Sequence, residues 1–315
     1  MIEHGGRIVN SVLHGIVEKK DARHTSLRLK LADETGNEIR SLGCAQQEMK
    51  RINTEGITMK DDKVIYETLE YAEGEKGVGV LSLNRPQKYN AVNLKMLEEL
   101  EHFWELQTSN LDTHVILLKG NGEKGFCGGL DLTSLAEASP TISIDQFYRF
   151  QARINRLMLS MRSAPQPIVC AVHGTAAGLG FSFALASDVR VISKDTRFAA
   201  SYINVGFGGA DMACSYLLPR LIGAGRAYEY MLTGAFMTSE EAMNLGLVSR
   251  VVEREMLYET ALGIARIMNS KNPMGLRLTK EAINMNLDAS GMEQALHIED
   301  RNQTLLFARG VAGPR

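Results

Sequence analysis

The stretch PIVCAVHGTAAGLGFSFALAS, Pro167–Ser187, decides the class of fold. Its opening, PIVCAV, is a short apolar run that predicts a buried strand, and its closing segment predicts a helix of small residues. The turn HGTAAGLG brackets the start of that helix with glycines. The first N–H groups of a helix have no internal partner and carry partial positive charge. This turn therefore predicts a site that stabilises an anion or a developing oxyanion.

A dinucleotide-binding turn is the main alternative for the same segment. HGTAAGLG does not fit the GxGxxG pattern, and no acidic partner for a ribose follows about 20 residues later. We therefore predict no nucleotide site of this kind.

Strands and helices alternate on both sides of this stretch. VIYETLEY (64–71) and GVGVLSLN (77–84) predict a hairpin, and VILLKG (115–120) predicts a short buried strand. Apolar stripes predict helices over Asn90–Leu106 and Ile144–Met161. The last third is all helical, so the chain is predicted to be α/β with a helical C-terminal region.

The same pass along the chain divides it into three parts. Residues 1–62 are charged and weakly periodic, which favours a poorly ordered extension or a start placed too early over a functional module. Residues 63–258 form the predicted core, and residues 259–315 form the predicted helical C-terminal region.

Composition limits the classes of function. The 315 residues with 44% hydrophobic content are enough for a sizeable core. The net charge of -2 gives no reason to expect nucleic acid or an anionic membrane as a partner. No apolar stretch approaches the roughly 20 residues that span a bilayer. The four cysteines lack CxxC spacing, which predicts reduced thiols, a cytoplasmic location and no metal site.

Two further segments carry residues suited to chemistry. In FCGGLDL, Phe126–Leu132, the Gly-Gly pair lets backbone approach a ligand closely, or it simply makes a tight turn. Asp211 is a lone carboxylate in a turn before an apolar helix. It is either an N-cap of that helix or a proton shuttle whose pKa is raised in a partly desolvated pocket. The two segments taken singly leave both alternatives open.

Taken in order, several motifs resemble the crotonase superfamily, the enoyl-CoA hydratases and isomerases, over roughly residues 64–307. They are LNRPQKYNAVN, FCGGLDL, PIVCAVHGTAAGLG, ALASDVRV and SYLLPRLIGAGRAYEYMLTG followed by SEEAMNLGLVSRVV. The resemblance implies a crotonase (ClpP-like) spiral of ββα units, assembled as a homotrimer or hexamer. It also implies an acyl-CoA thioester as substrate, with coenzyme A as part of that substrate and no separate cofactor.

The resemblance further implies where the thioester is held. Its oxygen is expected between the backbone N–H groups of Gly128 and Leu179, which stabilise the enolate formed when a proton leaves the carbon next to the carbonyl. The coenzyme A path is expected along one segment, and Lys88 is expected to meet a phosphate. The residues of that segment are Cys127, Gly129, Leu130 and Asp131.

The sequence departs from the family where hydratases carry two glutamates. The matching positions are Ser182 and Tyr202, which we expect to line the substrate pocket but which are poor bases near neutral pH. Asp211 remains as acid/base, and one carboxylate suffices for a 1,3-proton shift. Double-bond isomerisation is therefore the favoured reaction. The alternatives are an enoyl-CoA hydratase with a non-standard site and a non-catalytic acyl-CoA-binding scaffold. His173, at a strand end, is expected to be structural.

Overall fold

The computed structural model describes residues 58–60, 63–133 and 142–310. The predicted N-terminal extension, residues 1–62, lies outside the described residues apart from its short strand at 58–60. One compact unit spans Met59–Arg315.

The strands and helices follow one another through the described part of the chain. The strands are β1 (Thr58–Lys60), β2 (Lys63–Ile65), β3 (Leu69–Glu75), β4 (Val78–Leu83), β5 (Val115–Gly120), β6 (Ile168–Val172), β7 (Thr175–Ala177), β8 (Val189–Ser193), β9 (Arg197–Ala199), β10 (Met237–Thr238) and β11 (Arg250–Val252). The α-helices are α1 (Leu94–Ser109), α2 (Ile144–Ser163), α3 (Leu179–Ala186), α4 (Cys214–Ile222), α5 (Ala224–Thr233), α6 (Ser239–Asn244), α7 (Leu257–Asn269), α8 (Pro273–Asn286) and α9 (Met292–Ala308).

The main sheet has six strands in the order β11-β8-β6-β5-β4-β3. Only the β3–β4 pair is antiparallel; the other neighbours run parallel. Every residue of β4 and β6 is buried, because helices cover both faces of the sheet. The larger hydrophobic cluster contains residues of α1, α2, α3 and α4, and the smaller one joins the opposite face to α7. The boundary predicted at 258/259 therefore falls inside a helix that packs on the sheet.

A second, smaller sheet has three strands and completes the turns of the spiral. Its order is β10-β9-β7, and β7 and β9 each follow directly on a long strand of the main sheet, β6 and β8. The segment after β5 adds to its edge through bridges from Gly125 to Gly174 and from Cys127 to Ala176. Successive strands of the main sheet thus continue into the second sheet, which confirms the predicted crotonase spiral with a helical C-terminal region.

The predicted single strand over residues 64–71 is wrong in one respect, since it breaks between β2 and β3. The buried carboxylate of Glu99 accepts hydrogen bonds from the backbone N–H groups of Glu67 and Thr68, at 2.7 and 2.9 Å. Those N–H groups then serve a side chain of α1 instead of a neighbouring strand. Alternating hydrophobicity alone does not reveal such a partner, because Glu99 is about 30 positions away in the sequence.

None of the helices described is long and apolar enough to cross a membrane.

Candidate active site

A cavity of about 280 Å³ lies beside the Gly-rich turn that opens α3. We call residues 126–131 and 178–182 the backbone wall, and residues 147–151 and 201–212 the carboxylate wall. Both walls contribute to the lining of this cavity, and most of the side chains that line it are apolar. The apolar lining side chains are Leu130, Leu132, Phe147, Phe150, Leu179, Val205, Phe207, Ala210 and Met212.

The start of α3 forms one half of the backbone wall. Leu179 is the first helical residue, so its N–H has no partner within the helix, and Leu179 lines the cavity. A Cβ at Gly180 would overlap the carbonyl oxygen of Cys127, so only glycine lets the helix come this close to the facing loop. The small residues of the sequence thus bring the free N–H of Leu179 to the cavity.

The loop after β5 forms the other half, and it corrects the predicted partner of Leu179. The N–H of Gly128 donates to the carbonyl oxygen of Tyr89 at 2.8 Å, so this N–H is already committed and does not serve as a free donor. The N–H of Asp131 donates to Val92 at 2.9 Å. The N–H of Leu130 has no acceptor among the described residues, and Leu130 lines the cavity. The sequence could not reveal this, because the Tyr89 carbonyl is brought in by a separate turn.

Gly129 explains why Leu130 and Leu179 lie close together. Its φ of +102° lies in the left-handed region that favours glycine, and a Cβ there would meet the carbonyl oxygen of Ala177 at 2.9 Å. The same Cβ position is only 3.5 Å from the nitrogen of Leu179. The residue that immediately precedes Leu130 is therefore in contact with the first turn of α3.

Asn90 holds the loop in place and was not anticipated from the sequence. Its fully buried side chain donates to the carbonyl oxygens of Asn121, Gly125 and Phe126 at 2.9–3.1 Å and accepts from the N–H of Arg85. Asn90 falls in the LNRPQKYNAVN motif, in which a role was predicted only for Lys88. The signal in the sequence was an asparagine in a predicted turn, since Asn tolerates the left-handed conformation found here, with φ of +53°.

The carboxylate wall presents Asp211. Oδ1 of Asp211 accepts hydrogen bonds from the N–H of Met212 at 2.8 Å and from the side chain of Gln151. Oδ2 has no hydrogen-bond partner in the part of the chain that the structure describes. Burial raises the pKa of Asp211, while the Met212 and Gln151 hydrogen bonds oppose this rise. The carboxylate thus keeps one oxygen for a ligand and is more basic than an exposed aspartate.

The turn after Asp211 is conformationally strained. Met212 and Ala213 both have positive φ, at +46° and +64°, although neither is glycine. Such outliers persist only where the surroundings impose them, and they cluster at functional sites. The N–H of Cys214 donates to the Asp211 carbonyl at 2.8 Å and closes the turn. Asp211 is therefore not the N-cap of α4; Ala213 occupies that position.

Ser182 and Tyr202 contact each other across the two walls. Their hydroxyl oxygens are 2.6 Å apart, and the Tyr202 hydroxyl also donates to the carbonyl oxygen of Gly178 at 3.0 Å. Tyr202 lines the cavity, whereas Ser182 is fully buried behind it and does not. The prediction that both residues line the pocket therefore fails for Ser182, whose hydroxyl is buried against the Tyr202 hydroxyl.

Three of the remaining predicted residues, Lys88, Cys127 and Asp131, do not line the cavity. Lys88 is exposed on a short 3-10 helix, Pro86–Lys88. Cys127 is fully buried, its thiol donates to the carbonyl oxygen of Asn90, and burial raises its pKa to about 12. Asp131 forms an ion pair with Arg85 at 3.1 Å. Cys127 and Asp131 therefore have structural side chains, and only their backbone is near the path expected for the substrate. Gly128, Gly129 and Leu130 line the cavity.

His173 is placed away from this cavity, as expected for a structural residue. It is buried at the end of β6 and lines a separate cavity with Lys119 and Arg254. Burial lowers the pKa of His173, which keeps the imidazole neutral.

Comparisons with known proteins show the family of this chain. The family model for enoyl-CoA hydratase/isomerase matches residues 73–311. The chain belongs to that family. A protein named probable enoyl-CoA hydratase echA12 from Mycobacterium leprae is 34% identical over 233 residues, covering 73% of this chain and 78% of that protein. The 1,2-epoxyphenylacetyl-CoA isomerase of Escherichia coli is 32% identical over 238 residues, which cover 73% of this chain and 87% of the Escherichia coli protein.

Solved structures of both hydratases and isomerases are similar to this chain. An enoyl-CoA hydratase from Bacillus anthracis superposes with a TM-score of 0.71 at 31% identity, covering 76% of this chain and 90% of its own. A monofunctional enoyl-CoA isomerase from Mycobacterium smegmatis gives 0.61 at 31% identity, covering 73% and 98%. The predicted family is confirmed, and the chain is an enzyme of the hydratase/isomerase type. Because these relatives include both hydratases and isomerases, their names do not distinguish the two reactions for this chain.

Proposed function

We propose that this enzyme moves the double bond of an enoyl-CoA thioester, with Asp211 as the single acid/base. The observation that carries the proposal is that Asp211 is the one carboxylate among the described residues that line the cavity. The family supports an acyl-CoA substrate, and the mostly apolar lining suits the acyl chain.

The backbone wall supplies the electrostatic part of this mechanism. The thioester oxygen accepts hydrogen bonds from the N–H groups of Leu130 and Leu179, which takes the place of the Gly128–Leu179 pair inferred from the sequence. When the carbon next to the carbonyl loses a proton, negative charge moves to this oxygen. Each preorganised donor of this kind typically contributes about 10²–10³ in rate.

Asp211 supplies the proton transfers. Its carboxylate takes a proton from C2 of a 3-enoyl thioester, the electron pair spreads over the dienolate, and the same carboxyl group returns the proton at C4. The product is the 2-enoyl thioester with unchanged composition. This shift is redox-neutral, so we propose that it needs coenzyme A only as part of the substrate and no other cofactor.

Hydration is the alternative, and the Ser182–Tyr202 contact argues against it. A hydratase must hold and activate a water molecule, which in the family resemblance is the task of two glutamates. Here both hydroxyls are engaged with each other and with the Gly178 carbonyl. A phenol whose pKa is raised by burial is also a poor base.

A panel of 2-enoyl- and 3-enoyl-CoA thioesters tests the reaction. We expect a 3-enoyl-CoA to give a conjugated product of unchanged mass, read by absorbance and mass spectrometry. A mass gain of one water on the 2-enoyl substrates would instead establish a hydratase. Thioester binding without any turnover across the panel would establish the non-catalytic scaffold.

We also propose that the chain assembles as a homotrimer or hexamer. Large apolar side chains of the C-terminal helices are exposed in the single chain, and a neighbouring copy would cover them. They are Ile283, Met285, Leu287, Met292, Leu296, Leu305 and Phe307. Light scattering in solution should give a mass of three or six chains.

Two smaller expectations from the sequence remain proposals. Lys88 is exposed, beside the turn whose Tyr89 carbonyl holds the loop, and there it can reach a phosphate of coenzyme A; Lys88→Ala should raise KM more than it lowers kcat. A cytoplasmic location fits the free, buried thiols of Cys127, Cys170 and Cys214.

A further inference from the structure

The Ser182–Tyr202 contact has a direction. The carbonyl oxygen of Gly178 can only accept, so the proton of the Tyr202 hydroxyl lies on the 3.0 Å contact to Gly178. The 2.6 Å contact must then use the proton of Ser182. The hydrogen bonds therefore run from Ser182 to Tyr202 and on to the Gly178 carbonyl.

This series of hydrogen bonds ends on the peptide group that carries the proposed oxyanion donor. The Gly178 carbonyl and the Leu179 N–H belong to one peptide group, whose C–N bond is partly double. A hydrogen bond accepted by the oxygen draws electrons from the nitrogen and makes the N–H a stronger donor. Hydrogen bonds in a chain polarise one another in the same direction.

The same peptide group is held from several sides. The Gly178 oxygen also accepts from the N–H of Ser182 at 3.0 Å, and the N–H of Gly178 donates to the carbonyl of Ala199 at 3.0 Å. Both lone pairs of the Gly178 oxygen are thus in use. The plane that carries the Leu179 N–H is fixed before any ligand arrives, which is the preorganisation that electrostatic catalysis needs.

We propose that Ser182 and Tyr202 are positioning residues, a hydroxyl relay that orients and polarises the Gly178–Leu179 peptide toward the thioester oxygen. This inference rests on the proposed function, because it assigns the Leu179 N–H to the substrate carbonyl. Ser182 acts only through Tyr202, since it is fully buried and does not line the cavity. The two positions where the family resemblance expects glutamates thus serve the oxyanion instead of a water molecule.

A direct role for Tyr202 is the competing explanation, because its ring lines the cavity. A Tyr202 hydroxyl that donated to the substrate would leave the Gly178 carbonyl and would no longer depend on Ser182. The two explanations therefore differ in what removal of the Ser182 hydroxyl does.

The test uses 4-dimethylaminocinnamoyl-CoA, whose absorption moves to longer wavelength as its thioester carbonyl is polarised. The full chain is compared with Ser182→Ala, Tyr202→Phe and the double variant. The wild-type protein should give the largest red shift, Ser182→Ala a smaller one, and Tyr202→Phe the smallest, equal to that of the double variant. For turnover we expect Tyr202→Phe to lower kcat about 5- to 20-fold, below the loss of a direct donor, with little change in KM.

Tyr71→Phe is the matched control. The Tyr71 hydroxyl is 3.0 Å from the Thr113 hydroxyl in a partly buried pair, and neither residue lines the cavity. This variant loses the same kind of tyrosine–hydroxyl contact and should keep both the red shift and kcat. Thermal unfolding of each variant separates loss of polarisation from loss of fold.

Each outcome decides between the proposals. A wild-type red shift that is retained in Tyr202→Phe overturns the relay and leaves the isomerase proposal standing. A loss in Tyr202→Phe with no effect of Ser182→Ala also overturns it and favours a direct donor. No red shift in the wild-type protein overturns both. Red shifts that fall in the expected order support the relay even if no enoyl-CoA is turned over, in which case only the proposed reaction fails.

Discussion

The backbone wall and the carboxylate wall face the same cavity but are held in place differently. The backbone wall includes fully buried residues such as Phe126, Cys127 and Phe181, although its Gly128 is exposed, and it offers peptide N–H groups. The carboxylate wall includes exposed residues, among them Val205 and Phe207 at 49% and 44% exposure, and it offers one carboxylate on a strained turn. The proposed oxyanion donors thus lie on segments that pack into the core, while the proposed acid/base is a single side chain on a partly exposed wall.

Removing the Asp211 carboxylate should break the carboxylate wall alone. Asp211→Asn keeps the shape and an oxygen for the Met212 and Gln151 hydrogen bonds, so we expect kcat to fall about 10²–10⁴-fold, the usual contribution of general acid–base catalysis. Burial raises the pKa of Asp211, so its charge opposes folding and the melting temperature should stay level or rise.

Asp112→Asn, at an exposed position, is the control for this change and should alter neither quantity. Unchanged turnover by Asp211→Asn would show that the acid/base lies elsewhere.

Replacing Gly129 by alanine should disturb the proposed oxyanion donors of the backbone wall and leave Asp211 in place. In Gly129→Ala the new Cβ meets the Ala177 carbonyl at 2.9 Å on a backbone with positive φ, so the loop must shift and displace the Leu130 N–H. We expect kcat to fall about 10²-fold, as for a lost oxyanion donor. We also expect a loss of about 1–3 kcal/mol in the free energy of unfolding, measured by urea titration.

Gly225→Ala is the matched control, because a Cβ there meets nothing within 4 Å and the residue lies inside α5. It should be as active as the wild-type protein and slightly more stable. If Gly129→Ala lost stability but kept kcat, Leu130 would not be the donor.

Removing the brace beneath the loop should weaken the same wall less. Asn90→Ala leaves the carbonyl oxygens of Asn121, Gly125 and Phe126 without their shared donor. We expect a loss of about 1–3 kcal/mol in the free energy of unfolding and a several-fold loss of kcat, because the Leu130 N–H is no longer held in one place. Hydrogen exchange of the loop amides measures the mobility of the loop directly. Unchanged exchange in Asn90→Ala would show that Asn90 does not hold the loop in place.

The smallest effect concerns the pH dependence of the carboxylate wall. Asp211 must be ionised to take a proton, and its pKa is raised, so kcat/KM should fall on acidification at a pH above the ordinary value of about 3.9. The Gln151 hydrogen bond favours the charged form, so Gln151→Leu should raise the pKa of Asp211 further and move this limb of the pH profile to higher pH. A limb that stays in place would exclude Gln151 as a partner of the ionised carboxylate.

The sequence alone was enough to predict the family and the class of fold. The glycine-rich turn HGTAAGLG before a small-residue helix predicts an anion-stabilising helix start, because the first helical N–H groups have no internal partner. The choice of Leu179 itself follows from the family resemblance. The turn by itself leaves Asp211 two roles, an N-cap or a proton shuttle, and the family resemblance favours the acid/base role.

Only the tertiary structure decided which N–H of the Gly-Gly loop is free and what Ser182 and Tyr202 contact. The Gly128 N–H is taken by a carbonyl from another turn, and the Tyr202 hydroxyl reaches Gly178 from 24 positions away. Both are hydrogen bonds between segments distant in sequence, which local patterns do not specify. A backbone N–H donor has no characteristic side chain. Which N–H of the loop is free to act beside Leu179 therefore depends on the hydrogen bonds that the neighbouring N–H groups of Gly128 and Asp131 make.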